Sequence, residues 1–81
     1  MRPISQIVRD IRIDWKNVKY SAKPYLDSLS QLNDVNDRYG YDDGKSLILY
    51  FLANASSYRG ENAKKYKAEL KDILINSVVR S

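Results

Sequence analysis

The sequence predicts an all-α fold: one compact domain over residues 1–81, with about four short helices around a central apolar helix. Apolar residues recur at spacings of three and four through most of the chain, which is the helical period. Residues 47–53 are apolar without a break, and a helix that is hydrophobic on all sides is normally buried. No segment alternates apolar and polar residues as a half-buried strand does. These three observations together predict the fold class.

The first helix is predicted over residues 3–17. Pro3 suits a first helical turn, because the N–H that proline lacks has no partner there in any helix. The core stripe then recurs at helical spacing through Ile4, Ile7, Val8, Ile11 and Trp15. At about 100° per residue, one flank of this helix is basic and is formed by Arg9, Arg12 and Lys16. Ile13 lies opposite the core stripe, where it is the one unexpected apolar residue.

The second helix is predicted over residues 22–39. Pro24 can occupy its first turn. The apolar stripe of this helix consists of Tyr25, Leu29, Leu32 and Tyr39, with Leu26 beside it. Gly40 follows the stripe, as expected for a glycine that ends a helix in the left-handed conformation. We therefore expect one continuous helix up to this glycine.

The third and fourth helices are predicted over residues 43–56 and 61–76. The pair Asp42-Asp43 precedes the apolar run, and a carboxylate in that position accepts hydrogen bonds from the first N–H groups of a helix. Residues 56–60 form a connection. The stripe of the fourth helix consists of Ala63, Tyr66, Leu70, Ile73 and Leu74. Residues 78–81 either continue this helix or fray.

The composition excludes several kinds of chemistry. Cysteine and histidine are absent, so the chain has no disulfide, no thiolate nucleophile and no ligand for the usual zinc sites. The commonest general base and the commonest covalent thiol are therefore missing. We expect a protein that is not an enzyme and that needs no cofactor or metal. No apolar stretch of signal-peptide length follows the basic start, which predicts a cytoplasmic protein without membrane association.

Charge is distributed unevenly along the chain, whose formal net charge is +4. Residues 1–23 contain six basic and two acidic groups. Residues 24–43 contain one basic and five acidic groups, and residues 44–81 contain seven basic and three acidic groups. The balances of the three segments are therefore +4, −4 and +4. An acidic block between two basic ends favours charged partners, although part of this pattern is complementarity within the molecule.

Two motifs that suggest ligands lack the spacing that their chemistry requires. Gly44-Lys45-Ser46 matches the end of a phosphate-binding loop, but Tyr39 stands where the first glycine is needed. The aspartates between residues 34 and 43 could supply oxygen ligands to a hard cation, yet they do not have the spacing of a calcium-binding loop. We predict a helix start at the first motif and solvated or capping carboxylates at the second.

The candidate partner-binding residues lie in the last connection and on one row of the fourth helix. They are Tyr58, Arg59, Lys64, Lys67 and Lys71, with Ile13 as a separate contact. A lysine row suits an acidic protein or phosphate groups, and a few aromatic and basic anchors usually dominate the binding energy of an interface. The alternative is that the lysines form a solvated face and that Ile13 is an ordinary exposed apolar residue.

A resemblance adds a biological setting. The residues that carry it lie between about residues 10 and 75, in Asp14-Trp15-Lys16-Asn17, Ala22-Lys23-Pro24-Tyr25-Leu26, Tyr39-Gly40-Tyr41-Asp42, residues 50–55, Arg59-Gly60-Glu61 and residues 67–71. In these segments the chain resembles a family of small phage and prophage proteins whose activity is unassigned. The resemblance implies that the protein is made inside a bacterium, and it transfers no catalytic residue.

Together these observations predict a non-enzymatic protein that occupies and modulates a host or defence protein, by analogy with anti-CRISPR proteins. The second hypothesis is a small nucleic-acid-binding helical module that uses a basic face. The third is a structural or self-assembling phage component. A homodimer through Ile13 or through residues 75–79 stays open, since symmetric pairs are the commonest oligomers.

Overall fold

A computed structural model describes residues 2–39 and 42–80 and confirms a small all-α domain. Its four helices are α1 (Ile4–Asp14), α2 (Lys23–Leu29), α3 (Gly44–Ala53) and α4 (Glu61–Arg80). Two strands of two residues each, β1 (Arg38–Tyr39) and β2 (Asp42–Asp43), pair antiparallel between α2 and α3. The sequence pattern predicted no strand, so this short ribbon is a correction to the predicted organisation.

The four helices pack around one core. α1 contacts α2 and α4, and α3 also contacts α2 and α4. The largest fully buried side chains are Phe51, Ile4, Ile7, Ile11, Leu26, Leu29, Leu32, Ile48, Leu70 and Val8. Burial of each such side chain contributes about 1.5–3 kcal/mol, which makes this core the main source of stability. In the part of the chain that is described, no helix combines the length and the apolar character needed to cross a membrane.

The start of α1 is joined to the connection that follows α2. The first N–H groups of a helix have no partner within the helix itself. Here Ile4 donates to the carbonyl of Asn33 at 3.1 Å, and Ser5 donates to the carbonyl of Leu32 at 2.9 Å. The helix ends at Asp14, three residues before the predicted end. These contacts hold α1 against the chain segment that the prediction had assigned to the second helix.

The second helix is much shorter than predicted. It ends at Leu29 instead of residue 39, and turns follow it as far as β1. Leu32 and Val35 are nevertheless buried in the core. The apolar spacing that indicated a longer helix therefore belongs to a folded connection that also faces inward.

Short polar side chains explain why α2 ends early. The Asp37 carboxylate accepts hydrogen bonds from the N–H groups of Asn33 and Asp34, both at 3.0 Å. The Asp34 carboxylate accepts one from the N–H of Asn36 at 3.1 Å. Asparagine and aspartate compete with helical hydrogen bonds in this way. Gly40, which was expected to end the longer helix, lies outside the described residues.

α3 begins as predicted but is buried on one side only. The Asp43 carboxylate accepts the N–H of Ser46 at 2.9 Å and so caps the helix. The helix ends at Ala53, three residues before the predicted end. The side chains that it places in the core are Leu47, Ile48 and Phe51. Leu49 and Tyr50 are about half exposed, so the expectation of burial on every side is wrong.

α4 is the longest helix and continues past its predicted end at residue 76 to Arg80. Gly60 precedes it with φ of 119°, a conformation that glycine adopts far more readily than other residues. Arg2 links this helix to α1, because its guanidinium pairs with both Asp10 and Glu69. The predicted start of α4 at residue 61 is confirmed.

Candidate interaction surfaces

Tyr58, one of the predicted partner-binding residues, belongs to the core. Only 2% of it is exposed, and its ring stacks on Trp15 with the centroids 4.8 Å apart. Its hydroxyl donates to Oδ2 of Asp14 at 2.7 Å, while Nδ2 of Asn62 donates to Oδ1 of the same carboxylate at 3.0 Å. Burial, followed by the hydrogen bond to Asp14, raises the pKa of Tyr58. The ring therefore presents no surface that a partner could contact.

Lys67 also turns inward. Its Nζ donates to the carbonyls of Ala55 and Tyr58, both at 2.7 Å, and lies 5.7 Å from the centroid of the Tyr58 ring. Burial lowers the pKa of Lys67, and the charges of Lys71 and Arg59 lower it further. Lys67 thus stabilises the connection between α3 and α4, and the three lysines of the predicted row are not equivalent.

The other predicted cations remain exposed and form a surface that we name the α4 basic surface: Arg59, Lys64 and Lys71. Arg59 and Lys71 both act on the pKa of Lys67, so they lie near it. Where side chains are described, the ion pairs of Arg2 with Asp10 and Glu69 and of Arg12 with Asp27 do not include these three cations. This surface is therefore open to an anionic partner.

Ile13, the separate predicted contact, stands at a groove between α1 and the end of α2. It is 68% exposed, and the groove has a volume of about 410 Å³. The lining residues are Ser5, Val8, Arg9, Arg12, Ile13 and Ser30. Val8 is buried, and Arg12 forms an ion pair with Asp27 of α2. The groove thus has an exposed apolar wall at Ile13 and a basic edge at Arg9 and Arg12.

Tyr20 protrudes from the turn that precedes α2. It is 92% exposed, more than any other large hydrophobic side chain in the described part of the protein. The carbonyl of Lys19 accepts the N–H of Lys23 at 3.2 Å, so this turn leads directly into α2. Lys23 is three residues after Tyr20 and one helical turn before Asp27, which places it toward the ion pair between Asp27 and Arg12. The turn that carries Tyr20 thus leads into the face of α2 that carries Asp27, the ion-pair partner of Arg12.

We give the name α1–α2 basic face to the exposed basic and large apolar side chains between residues 9 and 23, which are Arg9, Arg12, Ile13, Lys16, Lys19, Tyr20 and Lys23. Its five cations have exposed side chains, and Asp27 is the one acidic residue that the contacts above bring to it. Of this face, only Ile13 was predicted from the sequence to be a site residue. The sequence did contain an indication of the basic character of this face, because no acidic residue occurs between Asp14 and Asp27. The exposure of Tyr20, in contrast, follows only from the structure.

The aspartates of the middle block have roles within the protein. Asp27 forms an ion pair with Arg12, and Asp43 caps α3. Asp37 accepts hydrogen bonds from two backbone N–H groups. Within the described ranges there is no group of three or more histidine, cysteine, aspartate or glutamate side chains that could hold a metal ion.

A larger groove of about 540 Å³ lies between the start of α1, the connection after α2 and the second half of α4. Its apolar lining includes Ile4, Val35 and Ile73. Arg2 at its edge is already paired with two carboxylates. With both a lysine and an aspartate in its lining, the groove does not favour a ligand of either charge.

Comparisons of the chain with protein-family models, with curated proteins and with solved structures gave no match. The surfaces of the molecule are therefore the basis for assigning a function.

Proposed function

We propose that this protein is a non-enzymatic binding module that occupies a partner protein through the α1–α2 basic face. The observation that carries the proposal is that Ile13 and Tyr20 are the two most exposed large hydrophobic residues in the described chain, at 68% and 92%, and that both lie on this face. A partner that covers them removes apolar surface from water. Tyrosine and arginine are also enriched among the residues that dominate binding energy at protein interfaces.

The charges of the face indicate what kind of protein fits it. Five cations and one aspartate give this face an excess of four positive charges. An acidic partner surface would be attracted over long distances and oriented as it approaches, which mainly raises the association rate. The partner is therefore a protein with a negatively charged contact region.

The biological setting of the proposal is a bacterial cell that carries a phage or prophage. What supports it is the resemblance to small phage and prophage proteins described above. In that setting the partner is a cytoplasmic host or defence protein, and the module acts as an inhibitor by occupying its surface, as anti-CRISPR proteins do.

A pull-down from bacterial lysate with matched variants tests the proposal. The test variant is Ile13→Asp/Tyr20→Ser, and the control is Leu49→Asp/Tyr50→Ser, which changes exposed apolar residues on α3. We expect one dominant protein to survive nuclease treatment with the unchanged chain and with the control, and to be lost with the test variant. Circular dichroism should give the same helical signal for all three proteins. Unchanged capture by a folded test variant would contradict the proposal.

A second candidate function is nucleic-acid binding through the α4 basic surface. It is favoured by the exposure of Arg59, Lys64 and Lys71 and by their absence from the ion pairs of the described residues. Three phosphate contacts predict an affinity for duplex DNA that falls about 40-fold between about 50 and 200 mM salt. Lys64→Glu/Lys71→Glu should abolish this binding, while Lys16→Glu/Lys19→Glu should retain it. Lys67 is left unchanged because it holds the adjoining connection.

A further inference from the structure

We infer that the groove at Ile13 receives one large apolar side chain of the partner, flanked in the partner sequence by carboxylates. This inference rests on the proposed function, because it names the chemistry that the α1–α2 basic face recognises. The groove is a concave part of that face, and Ile13, Arg9 and Arg12 all line it.

The interior of the groove suits an apolar group because its hydroxyl donors are already used. Oγ of Ser5 donates to Oδ1 of Asn33 at 2.9 Å, and Oγ of Ser30 donates to the carbonyl of Asp27 at 2.6 Å. A buried donor without a partner costs free energy, so an unused hydroxyl here would disfavour an aliphatic ligand. With both donors satisfied, an aliphatic side chain can enter without depriving either hydroxyl of its hydrogen-bond acceptor.

Ile13 supplies the apolar contact of the groove. Its side chain stands 68% exposed, whereas Val8, which also lines the groove, is completely buried. A side chain of leucine size would contact Ile13 and would remove part of it from water. The exposed Ile13 is thus explained as half of an apolar contact whose other half is on the partner.

The edge of the groove supplies positive charge. Arg12 is held in place by its ion pair with Asp27, whereas Arg9 is exposed and forms none of the ion pairs among the described residues. Lys16 follows Arg12 by four residues, and its side chain is also exposed. Arginine binds carboxylates through two parallel hydrogen bonds, so acidic residues next to the apolar anchor would meet Arg9 on one side. A nucleic acid could pair with these cations, but it offers the groove at most a single thymine methyl group and no branched aliphatic side chain.

Chemical-shift mapping with defined peptides tests the inference on the full chain. The probe is the pentapeptide acetyl-Glu-Glu-Leu-Glu-Glu-amide, and its two controls replace leucine with alanine or every glutamate with lysine. We expect the probe to bind with a Kd of about 1 mM and to shift the amide signals of residues 5–13 and 27–30. The alanine peptide should bind about tenfold more weakly, because it lacks the buried methyl groups. The lysine peptide should cause no shifts.

Variants of the protein complete the test. Ile13→Asp and Arg9→Glu should each weaken binding of the probe at least fivefold, and Leu49→Asp should leave it unchanged. Four outcomes would overturn the inference: no shifts at millimolar probe, equal binding of the alanine peptide, shifts confined to α4, or stronger shifts of the same amides by a ten-residue oligothymidine. If the lysate partner still depends on Ile13 and Tyr20 while the peptides fail, the binding face stands and only the groove chemistry is wrong.

Discussion

At the scale of single residues, Lys67 shows how a charged side chain can serve the fold. The connection between α3 and α4 leaves the carbonyls of Ala55 and Tyr58 near the core, and the Lys67 ammonium donates to both. A charged donor makes a stronger hydrogen bond than a neutral one. Lys64 and Lys71 belong to the same predicted row but remain exposed. The sequence could not distinguish Lys67 from them, because the difference depends on where a distant connection places its carbonyls.

We predict that Lys67→Met lowers the free energy of unfolding by about 1 kcal/mol, because methionine keeps much of the aliphatic stem but donates to neither carbonyl. Lys71→Met replaces an exposed lysine on the same helix and should change the free energy of unfolding by less than about 0.5 kcal/mol. Urea denaturation followed by circular dichroism measures both. Equal effects of the two substitutions would show that Lys67 has no special structural role.

At the scale of elements, the start of α3 is set by a close approach to the connection after α2. Gly44 is buried, and a Cβ added to it would lie 2.6 Å from the carbonyl oxygen of Val35. The N–H of Gly44 donates to the carbonyl of Asp37 at 2.9 Å. Only a residue without a side chain fits between these two backbone segments. The sequence predicted this helix start from its aspartates, but the requirement for glycine depends on the position of Val35.

Gly44→Ala is expected to destabilise the protein by about 1 kcal/mol, the middle of a net range of about 0–2 kcal/mol. Alanine would favour the helix by about 1 kcal/mol, but forcing a methyl group against a backbone carbonyl costs about 1–3 kcal/mol and requires the segments to separate. Thermal unfolding measures the net change. The exposed Ala53→Gly in the same helix reports the helix-propensity effect alone. A rise in the unfolding temperature of Gly44→Ala would mean that the two segments separate at little cost.

At the scale of the whole molecule, two carboxylates stabilise the fold, one by joining parts that are distant in sequence and one within a single connection. Asp14 at the end of α1 receives hydrogen bonds from Asn62 of α4 and from Tyr58. Asp37 receives two from the backbone of its own connection. The pKa of Asp14 is lowered, first by Asn62 and then by Tyr58, and the pKa of Asp37 is lowered by the N–H groups of Asp34 and Asn33.

These two lowered pKa values predict that stability falls in acid. Above the ordinary aspartate value of 3.8 both carboxylates are charged in either state, so their contribution is fully present near neutral pH. Below about pH 4 the carboxylates of the unfolded chain bind protons first. Stability is therefore lost as the pH falls toward the lower pKa values that Asp14 and Asp37 have in the folded protein. Urea midpoints measured from about pH 7 to 2 should show this fall. Asp14→Asn/Asp37→Asn should flatten the dependence of the urea midpoint on pH, whereas Asp72→Asn, at an exposed position, should leave it unchanged. Equal slopes for the two variant proteins would contradict the prediction.

The sequence by itself determined the all-α class, the starts of the helices and most of the core, because helical periodicity and capping depend on residues within a few positions of one another. The start of α3 after Asp43 is one example. The early end of α2 has a local cause, the hydrogen bonds of Asp34 and Asp37, which the apolar spacing did not reveal. The tertiary structure alone decided the inward turn of Lys67 and the exposure of Leu49 and Tyr20. Each of these depends on contacts between segments that are far apart in the chain, which no local pattern encodes.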